Sequence, residues 1–285
     1  MKLYYIGMVQ NMIFDDIVVV RGGGDLATGT IQKLHRCGFK VLVLEVANPT
    51  SVRRKVSFSE AVYDGKAQVE ELTAVRVNSL DEINKAWNHK NIPVIIDPKG
   101  EYIKRLQANI VVDAIMAKKN LGTTKAMADM TIALGPGFVA GTDVDVVIET
   151  SRGHDLGKLI FKGMAKRNTG TPGMIEGYSI ERVIYAPRDG RIMNKTDIGA
   201  IVEKDEVIAC IGDVPIKAAF YGLLRGIIKN RSEVKAGFKI ADIDPRISEK
   251  ANCYTISDKS RNIAGGVLEA ILYMKNIRCR QLSYE

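Results

Sequence analysis

Cysteine, histidine and aromatic residues are scarce in this chain of 285 residues. Its four cysteines, Cys37, Cys210, Cys253 and Cys279, stand singly with no Cys-x-x-Cys pair, and its three histidines, His35, His89 and His154, lie far apart. Short metal-ligand spacings are therefore missing, and no metal site is expected. No apolar run reaches the roughly 18 residues that a membrane helix needs. Ile110–Met116 is too short and leads into Lys118 and Lys119. The opening residues lack a basic start followed by a long apolar core, so a secretory leader is not evident and a cytoplasmic protein without a membrane partner is expected. Met12 stands just before the first strong strand and is a candidate natural start, with residues 1–15 expected as a disordered extension. The net charge is +8, yet the basic residues form no block or stripe. That pattern argues for an anionic small molecule rather than nucleic acid.

What is present is ordinary globular material, 46% hydrophobic and 26% charged, in a length that suggests two domains. Ile17-Val18-Val19-Val20 is a β-branched apolar run of the kind buried in a parallel sheet. It enters Arg21-Gly22-Gly23-Gly24-Asp25-Leu26-Ala27, then a helical pattern to Cys37, a stop at Gly38, and a second strand, Val41–Leu44, ending in Glu45. Gly22, Gly24 and Ala27 fit G-x-G-x-x-A, in which small residues let the chain turn tightly and approach a phosphate at a helix start. Glu45 stands where a ribose-binding acid belongs. The same punctuation also builds βα turns in folds that bind no nucleotide. Farther on, 61–77 reads as a hairpin turning at Asp64-Gly65, and Ile92–Ile96 and Asn109–Ala114 read as further buried strands.

Two loops after strands are rich in glycine or charge. Gly135-Pro136-Gly137-Phe138-Val139-Ala140-Gly141 and Arg152-Gly153-His154-Asp155-Leu156-Gly157 both follow apolar runs. In a parallel sheet both open at the carboxyl edge, where α/β ligand sites lie. Arg152 suits a phosphate or carboxylate, and His154 suits proton transfer. Each taken alone is more often a solvated or structural side chain.

The second half repeats itself. A shift of 32 residues aligns Ala186 with Ala218, Gly190 with Gly222, Val202 with Val234, Ile208 with Ile240, Ala209 with Ala241 and Ile211 with Ile243. Alternating apolar residues between turns mean short strands, and two such halves resemble the barrel-sandwich fold of lipoyl and biotinyl carriers. Lys217 lies near the link Gly212–Pro215 but lacks the Met-Lys-Met-type setting of a modified lysine, which favours a docking module over a carrier. An apolar-periodic helix over about 262–274 follows, with Gly265-Gly266 near its start, and the end from Arg278 is expected to fray.

Taken together, Val20–Ala27, Gly135–Gly141, Arg152–Gly157, Thr169–Gly173, Asp242–Arg246 and Ile256–Lys259 are similar to the selenium-dependent molybdenum hydroxylase accessory family (YqeB-like), a likeness running from about Ile17 to Asn276. That resemblance implies a maturation role toward a molybdenum hydroxylase apoenzyme, with a molybdopterin-type cofactor as the anionic ligand.

The expectation is an α/β protein: a Rossmann-like parallel-sheet domain over 16–178, a small all-β barrel-sandwich domain over 179–250, and a C-terminal segment with a helix over 251–285. The expected cofactor-binding residues are Arg21, Gly22, Gly23, Gly24, Asp25, Ala27, Glu45, Gly135, Gly137, Gly141, Arg152 and His154. Candidate catalytic residues are Cys253, as a chalcogen-handling thiol, and His154. NAD(P)-dependent oxidation and a non-enzymatic scaffold or carrier stay open as alternatives, as does a homo-oligomer.

Overall fold

The computed structural model describes residues 16–282, so the expected extension and the Met12 start lie outside the described residues. The chain opens with strand β1 (Ile17–Arg21), helix α1 (Asp25–Arg36) and strand β2 (Lys40–Glu45). A short helix α2 (Ala61–Asp64) precedes β3 (Lys66–Val69) and β4 (Leu72–Val77). Helix α3 (Leu80–Asn88), β5 (Ile92–Ile96), helix α4 (Glu101–Arg105), β6 (Ile110–Asp113), β7 (Met130–Leu134), β8 (Val146–Ile148) and β9 (Leu159–Ile160) complete a mixed α/β unit.

These strands form one nine-stranded sheet in the order β3-β4-β5-β2-β1-β6-β7-β8-β9. From β4 to β8 the pairing is parallel, and β3 and β9 close the edges antiparallel. Strand β1 is central because Val18–Val20 are fully buried and β-branched, suited to a strand covered on both faces. One face, with Val18 and Val20, packs under Ile31 and Leu34 of α1. The other, with Val19, packs on Ile83 of α3 and Ile103 of α4. The order reverses at β1, since the chain goes to β2 on one side and later to β6 on the other. Such switch points leave a crevice beyond the strand ends.

The hairpin forms, but its turn is not at Asp64-Gly65. Gly65, at φ 73°, ends α2, and the turn falls at Glu70-Glu71 between Val69 and Leu72. A left-handed glycine after a helix is a strong stop, and that local role wins here.

The second half holds β10 (Val183–Tyr185), β11 (Gly190–Asn194), β12 (Ile201–Val202), β13 (Val207–Ile211), β14 (Val214–Lys217), β15 (Gly222–Ile227), β16 (Glu233–Val234) and β17 (Lys239–Asp244). They form two four-stranded antiparallel sheets, β10-β17-β15-β12 and β14-β13-β11-β16. The 32-residue repeat governs the pairing. Gly190 pairs with Val234 as Gly222 pairs with Val202, and Pro215 pairs with Cys210 as Val183 pairs with Asp242. Each strand of one sheet thus has its counterpart in the other, around a shared core that includes Ile192, Ile208, Ile211, Leu224, Ile240 and Ile243.

The last helix, α5 (Asp258–Leu282), starts before and ends beyond the expected 262–274. It returns to the first unit, where Ile263, Val267 and Ile271 enter the core beside α1. The two halves also meet directly: Arg54 Nε donates to Ile227 O at 2.7 Å, and Lys229 Nζ lies 2.6 Å from Asp64. Among the described residues, no helix is long and apolar enough to cross a membrane.

Candidate functional site

The carboxyl edge of the parallel sheet collects buried charge. Arg21, at the end of β1, donates to Thr123 Oγ1 and, at 3.3 Å, to Pro98 O, and lies 3.8 Å from Asp113 at the end of β6. Thr123 in turn donates to Asp113 Oδ2 at 2.5 Å. Burial raises the Asp113 carboxyl, with the Thr123 hydroxyl, the Ile115 N–H and Arg21 opposing. Arg21 is therefore a buried brace between strand ends.

The glycine loop is also occupied from within. Gly23 donates its N–H to Glu45 Oε2 at 2.8 Å, and Val46 donates to Glu45 Oε1 at 2.8 Å. Burial pushes the Glu45 carboxyl up against those two donors. The acid expected to hold a ribose instead fills the amide expected to hold a phosphate. Gly22 donates to Leu44 O at 2.8 Å. A Cβ on Gly23 would lie 2.9 Å from Ser59 N, so this glycine serves the close approach of the chain at 57–60. Gly24 caps α1 in extended conformation, with no side-chain cap on the helix start. Ala27 is buried in the core beneath α1.

In the loop after β7, Gly135 donates to Ile148 O at 2.9 Å and Gly141 to Val144 O at 2.7 Å. A Cβ on Gly137 (φ 109°) would lie 2.6 Å from Lys119 N, so this glycine too meets backbone rather than open space. Both glycine segments close against the chain leaving β6, which Gly22 meets at Ala114–Ile115 and Gly137 at Lys118–Lys119.

Arg152 and His154 diverge. Arg152 makes a bidentate pair with Asp258, at 2.9 and 3.1 Å, and this pairing holds the Asp258 carboxyl at about 2. His154 lines an open cleft of about 580 Å³ with Lys33, Gly157, Arg261, Gly265 and Glu269. That cleft runs over α1 and α5 and touches neither Gly22–Ala27 nor Gly135–Gly141. Of its two acids, Asp155 and Glu269, Asp155 is already paired with Lys166 at 2.6 Å.

Cys253 is 1% exposed within the core of the two small sheets. Burial pushes its thiol up, with Arg225 and Arg53 opposing. The structure offers a buried thiol there, the commoner state of a free cysteine. Lys217 pairs with Val207 at the end of β14 away from the Gly212-Asp213 turn, so it is not at a hairpin tip as in a carrier.

A second set of charges, unread in the sequence, stands over the start of α1. Arg53 lies 3.6 Å from Asp25, and its Nη2 donates to Asn252 O at 3.0 Å and Thr255 O at 3.4 Å. Arg225 lies 3.7 Å from Asp242, and Arg182 lies 3.9 Å from Asp242 and 4.0 Å from Asp244. Ser260 Oγ, in the first turn of α5, donates to Asp25 O at 3.0 Å and Leu26 O at 3.1 Å. Among the described residues, no group of three or more His, Cys, Asp or Glu side chains gathers in a way that would hold a metal ion.

The fold and this edge define a mixed α/β protein with a charged junction to a duplicated all-β unit. The chain is 48% identical over 258 residues to the uncharacterized protein YqeB of Escherichia coli (strain K12), a match covering 90% of this chain and 48% of the relative. It thus spans about half the length of the curated relative it matches. No family model matches. Among solved structures, the apo ectoine utilization protein EutE (DoeB) from Ruegeria pomeroyi is 11% identical with a TM-score of 0.25, over 80% of this chain and 86% of that one. An aspartoacylase family protein from Mesorhizobium loti is 8% identical with a TM-score of 0.26, over 80% and 84%. Likenesses at those scores carry no argument.

Proposed function

We propose that this chain is a cytoplasmic accessory factor in the maturation of a selenium-dependent molybdenum hydroxylase, holding an anionic, phosphate-bearing cofactor or nucleotide for the apoenzyme. In this reading the first unit is Rossmann-like, and the two small sheets are a barrel-sandwich used for docking. The family resemblance and the 48% identity to YqeB support the YqeB-like name, and the maturation role rests on the resemblance.

One observation carries the ligand reading. Helix α1 opens beside the switch point of a parallel sheet with no side-chain cap, leaving its first N–H groups and dipole end to an anion. A molybdopterin-type cofactor, which bears phosphate, fits that helix start in charge. It does not fit the Gly23 amide, which Glu45 already takes. For that reason the nicotinamide alternative is the weaker one, since both Glu45 oxygens accept backbone N–H groups. The test is native mass spectrometry of the chain co-expressed with a hydroxylase, alongside hydroxylase activity with and without the chain. A phosphate-bearing adduct and a dependence of activity on the chain are expected. A ligand-free chain together with unchanged hydroxylase activity overturns the proposal.

A further inference from the structure

The internal repeat supplies its own control for the charges at the junction. The two copies face the same folding problem, yet Asp242 and Asp244 of one copy correspond to Cys210 and Gly212 of the other, Arg182 just before β10 corresponds to Val214, and Arg225 sits in a bulge of β15 that β11 lacks. The fold is built without these charges in one copy, so it does not require them in the other. They lie where β15, β17 and the 247–253 segment meet Arg53 and the start of α1.

Two helix starts touch at this place through Ser260 Oγ, which bonds to the first turn of α1 from the first turn of α5. Both are the positive ends of their helices. The nearby acids are engaged: Asp258 holds Arg152, Asp25 faces Arg53, and Glu149 accepts N–H groups from Ser151 at 2.7 Å and Lys166 at 2.8 Å. Lys259, the second residue of α5, makes no ion pair within 4 Å among the described residues. Arg53 is 8% exposed and leaves its Nε without a partner, as does Arg182 at 5%. The arginine–aspartate distances of 3.6 to 4.0 Å are long beside the roughly 2.8 Å of a direct charge-assisted bond. Burial holds the Lys259 amine below the ordinary lysine range, with Arg152 pushing the same way and the carboxylates of Asp25, Asp258 and Glu149 opposing.

We propose that Arg53, Arg225 and Lys259, with the starts of α1 and α5, form a binding site for the phosphate group of a small molecule, shared between the two halves of the chain. The site rests on the anion-binding reading above and gives it a location and a ligand class. Two helix starts and three cations present donors from several directions, which suits a tetrahedral, multiply charged oxyanion better than a planar carboxylate.

The test is calorimetry on the full chain with inorganic phosphate, pyrophosphate and acetate at equal ionic strength. Phosphate and pyrophosphate are expected to bind and acetate to give no heat. Lys259→Gln and Arg225→Met are expected to weaken phosphate binding by about tenfold or more. Arg225→Met also takes a partner from the buried Asp242, so Lys259→Gln, which breaks no ion pair within 4 Å among the described residues, keeps the test decisive where Arg225→Met fails to fold. Lys33→Gln, in the open cleft, is expected to bind like the parent. Absence of phosphate binding, equal binding of acetate, or parent-like binding by Lys259→Gln and Arg225→Met overturns this site. Loss confined to Lys33→Gln moves the anion to the cleft, which sinks this site but leaves the anion-binding reading intact. A ligand-free chain together with unchanged hydroxylase activity in the co-expression experiment sinks that reading even where phosphate binds here.

Discussion

The two small sheets share one pattern and differ in what they touch. In the sheet β14-β13-β11-β16, Met193 is 42% exposed, and β11 buries Ile192 between outward neighbours. In its counterpart, β15 and β17 are buried along nearly their whole lengths, because that sheet abuts the first unit. Gly226 shows how tightly, since a Cβ there would meet Val52 Cγ1 at 2.8 Å. Met193, which pairs with Cys210 as Gly226 pairs with Asp242, carries a full side chain. Duplication supplies a stable frame twice, and docking then demands of one copy residues that folding does not. Buried charge in that copy marks the docked face.

The sharpest way to break this comparison is to remove a charge from the docked copy. Asp242 is 6% exposed and stands between Arg182 and Arg225. Asp242→Ala leaves both guanidiniums without it, and breaking a buried pair of this kind costs about 3–5 kcal/mol. Cys210→Ala, at the equivalent position, is expected to cost under about 1 kcal/mol. Urea unfolding checks both. Similar losses at the two positions would mean that the charges belong to the frame.

The second comparison must come out even. Ile211 and Ile243 are repeat equivalents, and each is fully buried in the shared core. Truncating either to Ala is expected to cost about 2–5 kcal/mol, the usual range for a buried aliphatic side chain. The two values should agree within about 1 kcal/mol, the scatter expected from local relaxation. A larger gap measured by denaturation would show that the two sheets do not share one core equally.

Docking itself is tested at Gly226. Gly226→Ala forces a methyl against Val52, and overpacking of this kind costs about 1–3 kcal/mol. Because the strain falls between the halves, limited proteolysis should cut the variant near the junction sooner than the parent. Parent-like stability and cleavage would mean that the contact yields easily.

Legibility followed the reach of each signal. Strand β1, its glycine turn and α1 were readable because apolar runs and turn residues act over a few positions. The repeat is readable because identities recur at one spacing, and the strand register follows from it as far as the bulge at Arg225 in β15. The internal contacts of Arg21 and Glu45 are not legible in the sequence, since G-x-G-x-x-A describes a tight βα turn whether an outside phosphate or an inside carboxylate fills it. For Cys253 the sequence leaves two roles open, a reactive thiol or the small buried residue that a free cysteine more often is, and the structure shows the burial. Arg53, Arg225 and Lys259 were unreadable for a related reason. They are single polar residues from distant segments, and only the docking of the second half and the return of α5 bring them together.

The smallest expected effect separates the rim of the junction from its interior. Arg152 pairs with Asp258 in good geometry, but the Asp258 side chain is 73% exposed. Exposed pairs contribute about 0–1 kcal/mol, so Arg152→Gln should barely change stability at neutral pH. Its effect should be seen instead in the titration of Asp258, which the pair lowers from 3.8 to about 2. A carboxylate lowered on folding favours the folded state above its unfolded value and loses that contribution as the pH falls through the folded one. The parent should therefore lose the pair's contribution as the pH falls from about 3.8 to about 2, while in Arg152→Gln the carboxyl should titrate nearer 3.8 and little pH-dependent contribution remains to be lost. Carbon-detected NMR of the Asp258 carboxyl reads this directly. An unchanged midpoint would mean that Arg225, across the junction, controls this carboxylate in place of Arg152.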